Sequence, residues 1–209
     1  MKKSLQHTGL MLALVAGTLT SLSGCFPLVA GGMVTGAMVA SDRRTSGTVV
    51  EDEGIELKAS SRVRDNLGER VHVNITSYNR QVLITGEVPS AQDKQLVEKV
   101  VSGVENVRNI VNELGVLGNS TLTQRSSDAL VTGRAKAGLI DAKDLISTAF
   151  KVVTERGTTY IMGRVTQREA TRATEVISGT TGVQRLVRIL EVISEDELAR
   201  SMPPPAPAK

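Results

Sequence analysis

The chain contains a single cysteine among its 209 residues, no tryptophan, and only two tyrosines and two phenylalanines. One cysteine cannot form an internal disulfide, and together with two histidines it gives little material for a zinc site. A histidine-based nucleophile and base pair is disfavoured for the same reason. With so few aromatic side chains, the chain has little that could stack on nucleic-acid bases. Composition thus argues against nucleic acid as a partner, against a metal site and against several enzyme classes.

Long apolar runs are also scarce. Lys2 and Lys3 precede an apolar stretch at residues 10–22, and small residues then lead to Cys25; this order is typical of a secretory signal. No second run reaches the ~20 residues of a spanning helix. Residues 27–40 are apolar but short and rich in glycine, so we predict a flexible tether near a lipid surface, with insertion into the membrane as the alternative.

The segment Leu22-Ser23-Gly24-Cys25 resembles the box that closes bacterial lipoprotein signals. The resemblance implies cleavage before Cys25, with a diacylglycerol on its sulfur and an acyl group on its nitrogen, and no other cofactor is expected. An incidental cysteine behind an ordinary cleavage site is the alternative. Phe26 follows, rather than the aspartate that retains lipoproteins at the inner membrane, which favours sorting to the outer membrane.

Loss of a signal peptide changes the charge balance. Of the 25 Lys and Arg residues, Lys2 and Lys3 lie in residues 1–24, which leaves 23 against 22 Asp and Glu. The basic pI of the full chain therefore gives no argument for nucleic-acid binding.

The rest of the chain contains one pattern twice. Residues 72–88 align with residues 149–165, and each segment alternates apolar residues, turns, and ends in Gly-x-Val. This pattern predicts a β-hairpin. A helical pattern follows each hairpin and is expected to end at Gly103 and Gly182, before a Val-rich strand.

Another helix is predicted ahead of each hairpin, at residues 54–67 and 127–140. Each unit is therefore α-β-β-α-β, an α+β fold with a three-stranded mixed sheet covered by two helices. The predicted organisation is a signal peptide (1–24), a lipidated tether (25–53), a first domain (54–117), a linker (118–125), a second domain (126–193) and a tail (194–209) whose end is proline-rich and disordered.

This layout resembles the BON domain. The likeness rests on Gly86-Glu-Val88 with Gly103-Val104 in the first unit, and on Gly163-Arg-Val165 with Gly182-Val183 in the second. Two copies behind a lipoprotein signal are similar to the dual BON-domain outer-membrane lipoproteins of Gram-negative bacteria. That family implies a non-enzymatic protein on the periplasmic leaflet of the outer membrane. It also implies that the second domain binds anionic phospholipid, mainly through its first helix, and that the protein maintains the membrane barrier and concentrates at division sites.

The residues themselves also favour the second unit as the lipid-binding one. Residues 54–117 carry eight basic and eight acidic side chains, whereas residues 126–193 carry ten basic and seven acidic ones. Basic charge is attracted to anionic membranes. The first helix of the second unit places Val131, Ala135 and Leu139 toward the core. An adjoining stripe supplies the predicted phospholipid-binding residues, which are Leu130, Arg134, Ala137 and Gly138.

Three alternatives remain open from sequence. Leu130 could instead pack against the first domain, with Arg134 simply solvated. The two domains could form an adaptor surface for outer-membrane protein assembly. An enzyme is the least favoured, because no catalytic motif, phosphate-binding loop or metal-ligand spacing is present. The acidic run Glu51-Asp52-Glu53 is interpreted as a solvated linker.

Overall fold

The computed structural model describes residues 42–201. The predicted signal peptide, Cys25, the tether up to residue 41 and the tail from residue 202 lie outside the described residues. Both predicted domains belong to one compact unit of the chain.

The first copy begins with a longer helix than the sequence pattern indicated. Its elements are α1 (Ser46–Leu67), β1 (His72–Tyr78), β2 (Gln81–Val88), α2 (Ala91–Ser102), β3 (Asn109–Asn112) and β4 (Gly115–Val116). The Thr45 hydroxyl caps α1 by accepting from the Thr48 backbone N–H at 3.2 Å. Residues 46–53 therefore belong to the helix and not to a tether, and the acidic run at residues 51–53 is helical.

The second copy repeats this order. Its elements are α3 (Leu122–Asp141), β5 (Phe150–Glu155), β6 (Thr158–Thr166), α4 (Gln167–Ser178) and β7 (Arg185–Ile193), followed by α5 (Glu195–Ser201). A capping box of Thr121 and Gln124 starts α3, so the helix begins inside the predicted linker. Helix α4 is capped at Gly179; the expectation that it ends at Gly182 was wrong.

Both sheets are mixed, as the connections predicted. The hairpins β1–β2 and β5–β6 are antiparallel, and β2 and β6 each pair in parallel with the strands that follow the second helix. In the second copy β7 pairs without interruption from Arg185 to Ile193. In the first copy this ladder is split into β3 and β4, and β4 pairs separately with β2.

The two cores are built from matching positions. Helix α1 buries Ile55, Ala59 and Val63, and α3 buries Val131, Ala135 and Leu139 at the equivalent positions. All of them except Val131 belong to the apolar clusters that include the inner faces of the hairpins. The spacing of three or four residues explains why the inner face of each helix could be read from the sequence.

A buried aspartate in each first helix holds the following hairpin turn. Asp52 accepts from the backbone N–H groups of residues 79 and 80, both at 2.8 Å. Asp128 does the same for residues 156 and 157, at 2.8 and 2.9 Å. Residues 79, 80 and 156 have positive φ angles, which is unfavourable for non-glycine residues. The carboxylate offsets that cost by satisfying the turn amides.

Close backbone approach explains the glycine of each Gly-x-Val. A Cβ on Gly86 would lie 2.0 Å from the His72 carbonyl oxygen, and one on Gly163 would lie 2.6 Å from that of Ala149. Any larger residue would push the two strands of the hairpin apart, so both glycines serve backbone geometry.

The two sheets contact each other through the faces that their helices leave uncovered. Tyr78 and Leu83 of the first copy form an apolar cluster with Tyr160, Met162 and Ile189 of the second. The Tyr78 hydroxyl donates to the Ala149 carbonyl at 3.2 Å. Each domain thus covers the open sheet of the other, which leaves the outward faces of the helices exposed.

Candidate functional site

The side of α3 that faces away from the core carries three large exposed apolar side chains along its length, with the exposed Ser126 among them and Asp141 at the edge. Leu122, Leu130 and Ile140 expose 79%, 62% and 66% of their surface. At 100° per residue they fall in one sector with the small exposed residues of the helix, opposite its buried face. We refer to this set as the outer stripe: Leu122, Ala129, Leu130, Gly133, Ala137 and Ile140. Exposed apolar patches of this kind mark interaction surfaces.

Three of the four predicted lipid contacts lie on or beside this stripe. Leu130 and Ala137 belong to it, and Arg134 borders it. The alternative in which Leu130 packs against the first domain is not what the structure shows, because its side chain is largely exposed. Gly138 is half-buried, and a Cβ there would lie 3.1 Å from Val176 Cγ1, so this glycine faces α4.

Leu122 and Ile140 are functional candidates that the sequence reasoning missed. Leu122 precedes the predicted start of the helix, so it was not placed on any helical face. Ile140 lies at the predicted last residue of the helix. The Thr121-x-x-Gln124 capping box is the sequence signal that predicts a helix start at Leu122.

Two cations flank the outer stripe on opposite sides. Arg134 and Lys136 are both exposed, and neither forms a salt bridge within residues 42–201. Their charges are therefore available to an anionic ligand. An apolar stripe with flanking basic side chains is the pattern of a helix that lies in a membrane interface.

The first copy lacks this arrangement at the equivalent helix. At the positions that match Leu130, Arg134 and Ala137, it carries Gly54, Lys58 and Ser61. The Lys58 Nζ is 3.0 Å from Glu105 Oε2, so this cation has an acidic partner. Helix α1 also exposes two large apolar side chains, Val50 and Leu57. The first copy differs in having no large apolar residue at the position of Leu130 and a paired cation at the position of Arg134.

No helix among residues 42–201 is long and apolar enough to span a bilayer.

A second polar cluster lies where the two copies meet. Glu87 is fully buried. Its carboxylate oxygens form hydrogen bonds with His72 Nδ1 at 2.9 Å, with the Ser120 N–H at 3.1 Å and with Arg156 Nη1 at 3.3 Å. Burial acts to raise the pKa of Glu87, but these hydrogen bonds outweigh it and hold the pKa below its usual range. Glu87 is thus a charged group that joins both copies.

The same cluster brings together three groups that can ligate a metal. His72, Glu87 and Glu155 each have a ligand atom within 4.8 Å of the others. The guanidinium of Arg156 already contacts Glu87, and its positive charge opposes a cation there. No sequence pattern indicates this cluster, because its members come from different copies and show no ligand spacing.

Both copies match the BON domain family, over residues 51–118 and 127–194. The chain therefore belongs to the BON domain family, and the resemblance seen in the sequence is confirmed. The α+β fold with helices and mixed sheets agrees with that assignment.

The curated relatives refine it. Outer membrane lipoprotein DolP of Haemophilus influenzae is 33% identical over 184 residues, which cover 87% of the chain and 95% of that protein. This similarity places the chain among the dual BON-domain outer-membrane lipoproteins. The 21 kDa hemolysin of Actinobacillus pleuropneumoniae is 27% identical over 154 residues, covering 73% and 79%. Among solved structures, the C-terminal domain of CdsD, a type III secretion protein of Chlamydia trachomatis, has a TM-score of 0.29 at 11% identity, covering 70% of the chain and 98% of that structure.

Proposed function

We propose that the chain is a non-enzymatic, lipid-anchored outer-membrane protein whose second BON domain binds anionic phospholipid. The observation that carries the proposal is the outer stripe of α3, with unpaired Arg134 and Lys136 on its flanks. In this proposal, acyl groups on Cys25 hold the protein to the periplasmic leaflet, and the stripe adds a second contact. Two linked contacts give stable attachment where either one alone is weak.

Two physical contributions act at the stripe. The side chains of Leu122, Leu130 and Ile140 stabilise the bound state by entering the boundary between headgroups and acyl chains. The flanking cations each contribute about 1 kcal/mol near an anionic surface. Because the charge contribution is screened, binding should weaken as salt is raised.

In the cell, we propose that this contact supports the integrity of the outer membrane, with division sites as its place of concentration. A strain that lacks the protein should become sensitive to large antibiotics that an intact outer membrane excludes. The Leu130→Glu variant should fail to restore resistance, and a fluorescent fusion of it should lose enrichment at division sites.

The direct test is vesicle flotation with the chain from residue 25 onward, carrying Cys25→Ser so that no acyl chain contributes. This protein keeps every residue that the structure describes. It should float with vesicles that contain phosphatidylglycerol and not with neutral phosphatidylcholine vesicles. Leu130→Glu and Arg134→Glu should each lower binding without changing circular dichroism.

Leu57→Glu is the matched control. Leu57 lies on α1 of the first copy and is 74% exposed, so the change is the same in chemistry and exposure but in the other domain. Equal loss from Leu57→Glu and Leu130→Glu would contradict the proposal. So would photocrosslinking from position 130 in cells that captures an outer-membrane assembly protein rather than lipid, since that outcome supports the adaptor alternative.

A further inference from the structure

The second BON domain contains a cleft of about 370 Å³ next to the outer stripe. One wall is the side of α3 that carries Gln124 and Ser127. The opposite wall is formed by the hairpin turn at Gly157 and by the loop that carries Gly182 and Gln184. The side chains of Gln124, Ser127 and Gln184 thus offer amide and hydroxyl donors, which can bind phosphate oxygens.

Two arginines line this cleft. Arg134 forms no salt bridge within residues 42–201. Arg156 contacts Glu87 through Nη1 alone, at 3.3 Å, and its side chain is 37% exposed. Guanidinium groups present several N–H donors in a plane, which suits two oxygens of one phosphate.

The one acidic residue of the cleft has both of its carboxylate oxygens engaged in hydrogen bonds. Asp128 is buried, and its two oxygens accept from the backbone N–H groups of Arg156 and Gly157. Its oxygens therefore face the hairpin turn, and the charged side chains that line the cleft are two guanidinium groups and this one carboxylate.

The first copy does not reproduce these charges. The positions of Arg134 and Arg156 are occupied there by Lys58 and Asn79. The Lys58 Nζ lies 3.0 Å from Glu105, so the first copy has one cation at this place and that cation has an acidic partner.

Arg134 connects the cleft to the stripe, because it lies one helical turn after Leu130 and borders both surfaces. We infer that the cleft binds the glycerophosphate headgroup of an anionic phospholipid whose acyl chains stay in the bilayer below the outer stripe. This inference rests on the proposed function and adds a defined phosphate site with Arg156 and Gln184 as members. The stripe would supply membrane attachment, and the cleft would supply headgroup preference.

The test uses soluble probes that have no acyl chains, added to the isotopically labelled Cys25→Ser chain from residue 25. Glycerol 1-phosphate should shift the backbone amide resonances of Gly157 and Gly182, and inorganic phosphate should shift them more weakly. Gln184→Glu, which adds a negative charge at an exposed position and keeps the side-chain shape, should abolish both shifts. Arg134→Gln should weaken them.

Lys136→Gln is the control for general electrostatics, because Lys136 flanks the stripe on the side away from the cleft. It should leave the glycerol phosphate shifts unchanged. On phosphatidylglycerol vesicles, loss of one surface charge should weaken binding about fivefold. Gln184→Glu should weaken binding by more than Lys136→Gln does.

The outcomes separate the two proposals. If the stripe variants abolish vesicle binding but no soluble probe shifts the cleft amides, the cleft inference is overturned and the proposed function stands. If inorganic phosphate binds as well as glycerol phosphate and Gln184→Glu leaves vesicle binding intact, the cleft is a free-phosphate site and the headgroup inference is overturned. If the wild-type chain binds no anionic vesicle, both fail.

Discussion

Arg43 and Glu169 form a two-pronged salt bridge, with Nη1 to Oε2 at 2.7 Å and Nη2 to Oε1 at 2.6 Å, and both side chains are only 4% exposed. The contact joins the segment that precedes the first copy to the capping box of α4 in the second. Glu169 also accepts from the Thr166 N–H, so the same carboxylate starts a helix and holds the chain segment.

The next residue binds the other copy. Arg44 lies 2.8 Å from Asp52, the aspartate that holds the first hairpin turn, and its guanidinium lies 4.4 Å from the ring centre of Tyr78. Tyr78 belongs to the contact between the sheets. Two consecutive arginines therefore fasten residues 43–44 to both BON domains.

We expect Arg43→Ala to be strongly destabilising. Removing one member of a buried pair leaves the other charge without compensation and typically costs about 3 to 5 kcal/mol. Urea denaturation followed by circular dichroism would measure the free energy of unfolding. Arg172→Ala is the control, because Arg172 pairs with Asp144 and Glu175 on the surface, where a pair contributes about 0 to 1 kcal/mol. Equal effects of the two variants would show that residues 43–44 are not docked in solution.

Glu155 should make stability depend on pH in the opposite sense to Asp52, Glu87 and Glu169, whose pKa values are lowered in the folded protein. Burial raises the pKa of Glu155, and the nearby charges of Glu87 and Asp128 raise it further, against the lowering effects of His72 and Asn74. The folded pKa then exceeds the unfolded one. The free energy of unfolding therefore falls as the pH rises from the unfolded value through the folded one.

Glu155→Gln should accordingly raise the free energy of unfolding at pH 7. Below about pH 4, where the carboxyl is protonated in both states, the gain should vanish. Urea midpoints measured across this range provide the test, with Glu53→Gln on the exposed side of α1 as the control. A loss of stability at pH 7 would mean that the hydrogen bond from Asn74 to the charged carboxylate outweighs its burial.

The repeat and its fold were predictable because their signals are local. Alternating residues around a turn and a Gly-x-Val ending specify each hairpin, and buried positions such as Ala59 and Ala135 recur at helical spacing. The extent of α1 was not predictable in the same way. Asp52 lies in an acidic run that resembles solvated chain, and its burial is stabilised by Arg44 and by the hairpin amides. No local pattern reveals such distant partners.

The candidate site was predictable only in part for a related reason. Leu130 and Arg134 could be placed beside the core-facing positions of one helix. Whether an apolar residue such as Ile140 is exposed depends on what covers it, and the first domain packs on the sheet rather than on α3. The contact between the sheets thus decides which surface remains free, and its residues show no periodicity that separates it from an ordinary strand face.

Two glycines of α3 should respond oppositely to substitution. A Cβ on Gly133 would have no neighbour within 4 Å, whereas one on Gly138 would lie 3.1 Å from Val176 Cγ1. Gly133→Ala should therefore stabilise the helix by about 0.5 to 1 kcal/mol. Gly138→Leu should destabilise the domain by about 1 to 3 kcal/mol, because α3 and α4 would be forced apart. Thermal unfolding would measure both, and a neutral Gly138→Leu would show that Gly138 faces solvent.

Leu130→Trp should strengthen membrane binding and report it directly. Tryptophan is favoured at membrane interfaces, and the chain has no tryptophan of its own, so the fluorescence would come from position 130 alone. We expect its emission to shift to shorter wavelength with phosphatidylglycerol vesicles and to stay unchanged with phosphatidylcholine vesicles. Leu57→Trp, on the exposed face of α1, should show no shift with either. A blue-shifted spectrum in the absence of vesicles would instead indicate that position 130 is covered by protein, and the outer stripe could then not be the membrane contact.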